Sequence, residues 1–167
     1  RVEFPSELTQ AVGIVEPVLT TDIPEDRSGV YSGSALIEND RVYLFYTGIV
    51  KLPGDYDYID SGRISSQLMT ESEDGQTMSE KVKVLGMEDY PEEITAHVRD
   101  PKVWKENGRY YMVLGARERA WDTDGHRKDK GCALIYSSDD KRNWEFEQKL
   151  APEGDFGYMW ECPDLFE

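Results

Sequence analysis

The most constraining feature of the sequence is an internal repeat with a period of 65 to 67 residues. The segment 43–48 matches the segment 110–115 at an offset of 67 residues. Three leucines at equivalent positions, Leu19, Leu85 and Leu150, are 66 and then 65 residues apart. A fixed period of several tens of residues is the signature of a repeat architecture. The chain is therefore predicted to consist of similar structural units.

Each unit is predicted to be built from short strands and tight turns. Four runs rich in β-branched and aromatic residues are bounded by turn formers: 42–46, 64–70, 109–114 and 133–137. Such runs favour strands, and Asn107-Gly108 before the third run is typical of a two-residue hairpin. Helical character is limited to a short turn over residues 5–12. The predicted fold class is all-β.

About four strands per unit is the size of one blade of a β-propeller. The predicted fold is a partial β-propeller of about two and a half blades of four antiparallel strands. The expected boundaries are the end of a preceding blade (1–29), two blades (30–96 and 97–157) and the first strand of the next blade (158–167). Because a closed propeller needs at least about four blades, we expect uncovered blade faces that favour self-association. The alternative is a β-sandwich whose similar strands share no site.

Charge and composition exclude several classes of partner. The chain has 34 acidic and 19 basic side chains, a formal charge of −15, which disfavours nucleic acid and anionic membrane surfaces. Cys132 and Cys162 are too few for a disulfide framework and lack zinc-site spacing, so a reducing, cytoplasmic location is expected. Asp122-Thr123-Asp124-Gly125 lacks the further ligands of a calcium loop. We expect no metal and no cofactor.

The repeat also predicts where a site would lie. If the first strand of each unit lines a central axis, Ser32, Arg99 and Glu161 occupy equivalent places on successive strands. Three polar side chains then converge at one end of a channel, as a binding site requires.

The residues beside these positions suggest acid–base chemistry. Asp100 follows Arg99 directly, and a carboxylate beside a guanidinium tends to stay ionised, which suits charge stabilisation. Glu161 follows aromatic residues, and a carboxyl group against a ring tends to keep its proton, which suits a general acid. The alternatives are a solvated Asp-Pro turn and an exposed glutamate at a strand end. His97 and His126 are interpreted as surface histidines, and the loop 55–60 as solvated.

Four motifs, in order and with matching spacing, resemble those of glycoside hydrolase family 32. They are Tyr31-Ser32-Gly33-Ser34-Ala35, Phe45-Tyr46-Thr47-Gly48, Arg99-Asp100-Pro101 and Tyr158-Met159-Trp160-Glu161-Cys162-Pro163-Asp164-Leu165-Phe166. The resemblance covers most of residues 15–167. The last motif looks most like that of bacterial sucrose-6-phosphate hydrolases.

The resemblance implies a five-bladed propeller that cleaves β-D-fructofuranosidic bonds with retention, through a covalent fructosyl intermediate. It implies that Glu161 is the general acid/base and that Asp100 stabilises the transition state. It also implies that Arg99 orients both carboxyl groups and that Cys162 tunes the acid/base. Tyr31 and Ser32 resemble the pair that lines the fructose subsite, and Trp160 is a further candidate for sugar contact.

One departure from the family pattern concerns the nucleophile. The family's nucleophile is an aspartate in an Asn-Asp-Pro-Asn-Gly motif upstream of the Ser-Gly-Ser-Ala segment, and these 167 residues contain no such motif. We therefore expect a fragment that is inactive alone, from an enzyme acting on sucrose 6-phosphate or sucrose, with fructan as a further fructoside substrate. No Gly-rich phosphate loop or basic run indicates how a phosphate would be held. Two alternatives stay open: a propeller glycosidase resembling family 43, acting on arabinan or xylan, and a non-catalytic sugar-binding module.

Overall fold

The computed structural model describes residues 17–165. The helical turn predicted for residues 5–12 lies outside the described residues. Within the described part, the chain forms eight strands and two short 3-10 turns, Pro24–Asp26 and Met87–Asp89. The strands are β1 (Gly29–Glu38), β2 (Arg41–Lys51), β3 (Arg63–Ser72), β4 (Val82–Leu85), β5 (Ile94–Glu106), β6 (Arg109–Glu118), β7 (Lys130–Ser138) and β8 (Glu145–Leu150).

The strands form two antiparallel four-stranded sheets, ordered β1-β2-β3-β4 and β5-β6-β7-β8. The first hairpin of each sheet turns through two residues in the left-handed region. These are Asn39 and Asp40, with φ of 51° and 60°, and Asn107 and Gly108, with φ of 50° and 86°. Positive φ at both central residues is the condition for a hairpin turn that matches the strand twist. The all-β prediction and the predicted hairpin are confirmed.

Two element boundaries differ from the sequence prediction. Strand β5, the first strand of the second sheet, begins at Ile94, before the predicted blade boundary at residue 97. Within the described residues, 158–165 form no strand, although the start of a blade was predicted there. A strand needs a hydrogen-bonding neighbour. Gly157, just before this segment, accepts from Gly131 N–H of β7 at 2.8 Å, and the segment then crosses β6 and β7 at Gly115 and Gly131. No helix in the described part has the length and apolar character needed to span a membrane.

The main core lies between the two sheets. Successive side chains of a strand point to opposite faces, and the even-numbered residues of β7 face the first sheet. Fully or nearly fully buried members of this core are Phe45, Met69 and Leu85 from the first sheet and Val98, Met112, Leu114, Leu134 and Tyr136 from the second. Ala133 and Ile135, the odd-numbered residues of β7, pack with Val113 beneath Trp104 and Trp160. Removing these apolar faces from water is the main term that holds the sheets together.

Polar contacts also join β1 and β5, the first strands of the two sheets. Val103 N–H donates to Ser34 Oγ at 3.0 Å. Near the hairpin tips, Glu38 accepts from Lys105 Nζ at 2.5 Å, Lys141 Nζ at 2.7 Å and Tyr110 OH at 2.6 Å. These three donors lower the pKa of Glu38 to about 2. The inner strands β1 and β5 are thereby held side by side, so that their functional residues can meet.

Candidate active site

The hydrogen-bond pairing of β1 and β5 is irregular at the predicted site residues. On β1 the pairing skips Ser32, and on β5 it skips Asp100 and Pro101. Asp100 also has a φ of 61°, which is uncommon for a residue other than glycine. A bulge leaves one residue out of the ladder and re-aims its side chain. The sequence motifs thus coincide with the points where the inner strands depart from regular pairing.

The ladders correct the predicted equivalence of Ser32 and Arg99. Gly48 and Gly115 occupy matching positions of the repeat, and they pair with Val30 and Arg99 respectively. Val30 is therefore the structural counterpart of Arg99, and Ser32 lies closer to the position of Asp100. The bulges beside these residues shift the strand register. A constant offset in sequence therefore does not identify the residues that are equivalent in structure.

The predicted convergence nevertheless occurs. Six of the seven predicted site residues line one cavity of about 340 Å³: Tyr31, Ser32, Arg99, Asp100, Glu161 and Cys162. Two inner strands and the segment after β8 supply them. The structure therefore places both candidate catalytic carboxyl groups, those of Asp100 and Glu161, in one sugar-sized hollow.

Asp100 is held by one hydrogen bond from its backbone N–H and another to its side-chain carboxylate. Its backbone N–H donates to Thr47 Oγ1 at 3.0 Å, and the Thr47 hydroxyl donates to Gln67 Oε1 at 2.7 Å. Its Oδ2 accepts from Cys162 N–H at 2.9 Å. Asp100 is only 6% exposed, and its Oδ1 has no hydrogen-bond partner among residues 17–165. One carboxylate oxygen is anchored while the other remains available to a ligand.

The thiol of Cys162 lies beside the Asp100 carboxylate. Its Sγ lies 3.7 Å from Asp100 Oδ2, whereas the resemblance implied an effect on Glu161. Partial burial and the Asp100 carboxylate raise the pKa of the Cys162 thiol. The thiol therefore keeps its proton and donates toward Asp100.

Glu161 is held by a two-point contact with Arg99. Arg99 Nε and Nη2 lie 3.1 and 2.8 Å from the same oxygen, Glu161 Oε1. The Arg99 side chain is 11% exposed and that of Glu161 is 64% exposed, so the Glu161 carboxyl group is largely open to solvent. Oε2 has no hydrogen-bond partner in the described part of the chain. Arg99 thus orients Glu161, and its described contacts do not include the Asp100 carboxylate.

His97 was interpreted as a surface residue, and this interpretation is wrong. Its Nε2 lies 3.0 Å from the carbonyl oxygen of Tyr58, which can only accept, so Nε2 carries the proton. Nδ1 then accepts from Arg99 Nη1 at 3.0 Å. Burial, followed by the charges of Arg63 and Arg99, lowers the pKa of His97 to about 4. A neutral imidazole thus helps to orient Arg99, and the signal in the sequence was its two-residue spacing from Arg99, which puts both on one strand face.

Two glycines allow the segment that carries Glu161 to approach the second sheet. A Cβ on Gly115 would lie 2.1 Å from the Trp160 carbonyl oxygen, and a Cβ on Gly131 would lie 2.4 Å from Trp160 Cδ1. The Trp160 indole therefore packs on the sheet and is not among the residues that line the cavity. That Trp160 contacts the sugar stays a prediction; in this geometry its indole packs on the second sheet, next to Glu161 in the chain.

A second cavity of about 450 Å³ adjoins the first and shares Arg63, His97, Arg99 and Glu161 with it. Its additional lining residues include Tyr58, Arg117 and Tyr158. The loop 55–60, interpreted as solvated, thus contributes to the wall of a cavity. Sequence reasoning missed Arg63 and Arg117 because neither lies in a local motif.

The turn 122–126 holds the one exposed group of candidate metal ligands found in the described residues. Ligand atoms of Asp122, Asp124 and His126 lie within 4.8 Å of one another. Asp122 Oδ1 already accepts from the backbone N–H groups of Asp124 and His126 at 2.9 and 2.8 Å. These hydrogen bonds form a local turn, and the turn explains why the three side chains lie close together.

The Thr47 hydroxyl should be needed to hold Asp100. Thr47→Val keeps the shape but leaves the Asp100 N–H and Gln67 Oε1 buried without this partner, so we expect a loss of about 1–3 kcal/mol in the free energy of unfolding. Thr47→Ser keeps the hydroxyl and should lose about 0.8 kcal/mol for the deleted methyl group. Urea unfolding of both variants tests this, and equal losses would contradict it.

His97 should titrate far below an ordinary histidine. An NMR titration of its Cε1–H resonance should give a midpoint near 4, and Arg99→Gln should raise that midpoint because one positive neighbour is removed. Since the folded pKa lies below the unfolded value of 6.5, this group stabilises the fold above about pH 6.5, and its contribution is lost as the pH falls toward 4. The urea-unfolded chain is the control, and a folded midpoint equal to its value would refute the neutral-imidazole assignment.

The sequence matches the family model of the glycosyl hydrolases family 32 N-terminal domain over residues 14–167. It is 42% identical over 146 residues to the sucrose-6-phosphate hydrolase of Bacillus subtilis (strain 168), covering 84% of this chain and 27% of that protein. The sucrose-6-phosphate hydrolase structure from Lactobacillus gasseri matches with a TM-score of 0.71 at 32% identity, over 90% of this chain and 28% of that one. A mutant Bombyx mori beta-fructofuranosidase in complex with sucrose matches with a TM-score of 0.60 at 34% identity, over 83% of this chain and 27% of that one.

The chain thus spans between a quarter and a third of the length of these relatives. The family model nevertheless covers nearly the whole chain, and the resemblance carried by the four sequence motifs is confirmed. The chain belongs to glycoside hydrolase family 32.

Proposed function

We propose that this chain is part of a retaining glycosidase that cleaves β-D-fructofuranosidic bonds, with sucrose 6-phosphate or sucrose as its substrate. The observation that carries the proposal is the placement of Asp100 and Glu161 in one cavity of a family 32 chain. Relatives named as sucrose-6-phosphate hydrolases and as a beta-fructofuranosidase in complex with sucrose support the substrate class. The family match favours fructosides over the arabinan or xylan alternative and over a non-catalytic sugar-binding module.

In this proposal Glu161 is the general acid/base. Arg99 holds Oε1, and Oε2 is the oxygen that delivers a proton to the leaving group and then removes one from water. His97 and Arg99 act as positioning residues, because they fix the carboxyl group through a chain of hydrogen bonds. Fixing the group in advance removes part of the entropic cost of reaching the reactive geometry.

Asp100 is the proposed transition-state stabiliser. Its anchored Oδ2 and available Oδ1 suit hydrogen bonds to fructosyl hydroxyl groups that strengthen as the ring gains positive charge. Tyr31, Ser32 and Cys162 are proposed to complete the fructose subsite. The nucleophile is proposed to come from an Asn-Asp-Pro-Asn-Gly segment of the complete enzyme.

The proposed assembly is a five-bladed propeller. Residues 1–29 would end one blade, 30–96 and 97–157 would form two blades, and 158–167 would begin the next. The two four-stranded sheets support the division into blades. The two free thiols are in keeping with the proposed cytoplasmic location, since thiols stay reduced there.

Glu161→Gln in the full-length enzyme tests the acid/base role. We expect kcat on sucrose 6-phosphate and sucrose to fall by about 10²–10⁴-fold, because general acid–base catalysis contributes about that much. A fructoside with a nitrophenol leaving group should lose less in the step that forms the intermediate, since nitrophenolate departs without a proton. Glu145→Gln, at the exposed edge strand β8, is the matched control and should retain full activity.

Retention at the anomeric carbon, followed by NMR of the first product, separates this mechanism from an inverting one. The 167-residue chain, assayed in parallel with the full-length enzyme, should show no turnover because it lacks the nucleophile segment. Full activity of Glu161→Gln on natural substrates, or turnover by the short chain alone, would contradict the proposal.

The isolated 167-residue chain is further proposed to self-associate. Several apolar side chains are exposed, among them Ile37 at 75%, Phe156 at 62% and Tyr158 at 64%, and a blade normally covers such surface with its neighbour. Light scattering should show a mass that rises with concentration. A stable monomer at all concentrations would argue against uncovered blade faces.

A further inference from the structure

The second cavity lies on the leaving-group side of the proposed acid/base. Glu161 lines both cavities, whereas Asp100 lines only the smaller one, together with Tyr31 and Ser32. A general acid protonates the bond between the fructosyl group and its leaving group, so Glu161 marks the boundary between their subsites. If the smaller cavity takes the fructosyl group, the second cavity receives the leaving group.

This second cavity concentrates positive charge in a strongly acidic chain. Three arginines line it, Arg63 from β3, Arg99 from β5 and Arg117 from β6. The carboxylates that line it are those of Glu161 and Asp57. The charges of all three arginines contribute to the low pKa of His97.

Arg63 is the least satisfied of these cations. Its Nε donates to the Tyr58 carbonyl oxygen at 3.2 Å, and its Nη1 is buried without a hydrogen-bond partner in the described part of the chain. Among the described residues, it forms no ion pair with a carboxylate within 4.0 Å. A buried donor without a partner costs free energy, and the guanidinium charge of Arg63, which has no carboxylate partner among residues 17–165, lines the cavity.

Arg117 is a rigid second donor. Its Nε donates to Asp129 Oδ2 at 2.7 Å, and its guanidinium lies 4.9 Å from the centre of the Tyr158 ring. Asp129 is also held by Arg127 at 2.8 Å, so Arg117 is only partly neutralised. Its terminal nitrogens donate no hydrogen bond within residues 17–165.

We propose that Arg63 and Arg117 form a subsite for the phosphate group of a phosphorylated sugar leaving group. A phosphate monoester carries about −1.5 to −2 charges and three acceptor oxygens, which suit guanidinium forks. A neutral sugar offers hydroxyl oxygens that accept hydrogen bonds, but it leaves the excess positive charge uncompensated. The inference rests on the proposed function and selects sucrose 6-phosphate over sucrose. The sequence shows no basic run because residues distant in sequence assemble this cluster.

The test compares two substrates in the full-length enzyme. Arg63→Gln should lower kcat/KM for sucrose 6-phosphate by about 10- to 100-fold, as expected for loss of a charge-assisted hydrogen bond, mainly through KM. Because Arg63 also lines the smaller cavity, the deciding quantity is the ratio of kcat/KM for sucrose 6-phosphate to that for sucrose, which should fall by about 10-fold or more. Arg63→Lys should recover part of the preference. Arg41→Gln is the matched control, because Arg41 lies at the hairpin end of β2 and Arg63 pairs with its opposite end.

Equal losses for both substrates, or none for either, would overturn the phosphate assignment. Arg117→Lys repeats the test at the second donor if Arg63→Gln does not fold, as judged by thermal unfolding. Calorimetric titration with glucose 6-phosphate, glucose and inorganic phosphate, at constant ionic strength, separates this inference from the proposed function. Glucose 6-phosphate bound no more tightly than glucose would refute the subsite. Binding that depends on Arg63, in an enzyme that hydrolyses neither sucrose nor sucrose 6-phosphate, would support the subsite and refute the proposed function.

Discussion

The backbone N–H of Asp100 donates to the Thr47 hydroxyl across the boundary between the two sheets, and the candidate site depends on this contact. Thr47 and Gln67 are fully buried, so their polar groups have to be satisfied by each other and by the second sheet. The apolar core brings the sheets together without direction, since burial of apolar surface is non-directional. The buried hydrogen bonds fix how the inner strands are aligned, and therefore where the two carboxyl groups lie.

The two carboxyl groups are held by chemically different neighbours. Asp100 is contacted by uncharged donors, the Cys162 N–H and thiol, and is almost completely buried. Glu161 is contacted by a guanidinium and remains largely exposed. Two carboxyl groups in different environments can perform different tasks at the same pH. In the proposed mechanism, the buried group keeps its position while the exposed group exchanges protons with the leaving group and with water.

The sequence predicted the fold better than it predicted which residues contact one another in the site. A repeat carries equivalent motifs to the same end of each unit, so the convergence of Ser32, Arg99 and Glu161 followed from their order along the chain. The register beside these residues did not follow, because it depends on bulges that a constant offset cannot describe. Arg63 and Arg117 were missed for another reason: the cavity that they line is built from separate strands and a loop, and no local pattern marks either residue.

The phosphate subsite and the acid/base are coupled through their shared lining. A leaving sugar that carries a phosphate would place a dianion in the cavity that Glu161 also lines. A nearby negative charge disfavours the ionised form of a carboxyl group, and the protonated form is the one that a general acid needs before the glycosidic bond breaks. A phosphorylated substrate would therefore favour the protonated form of its own general acid.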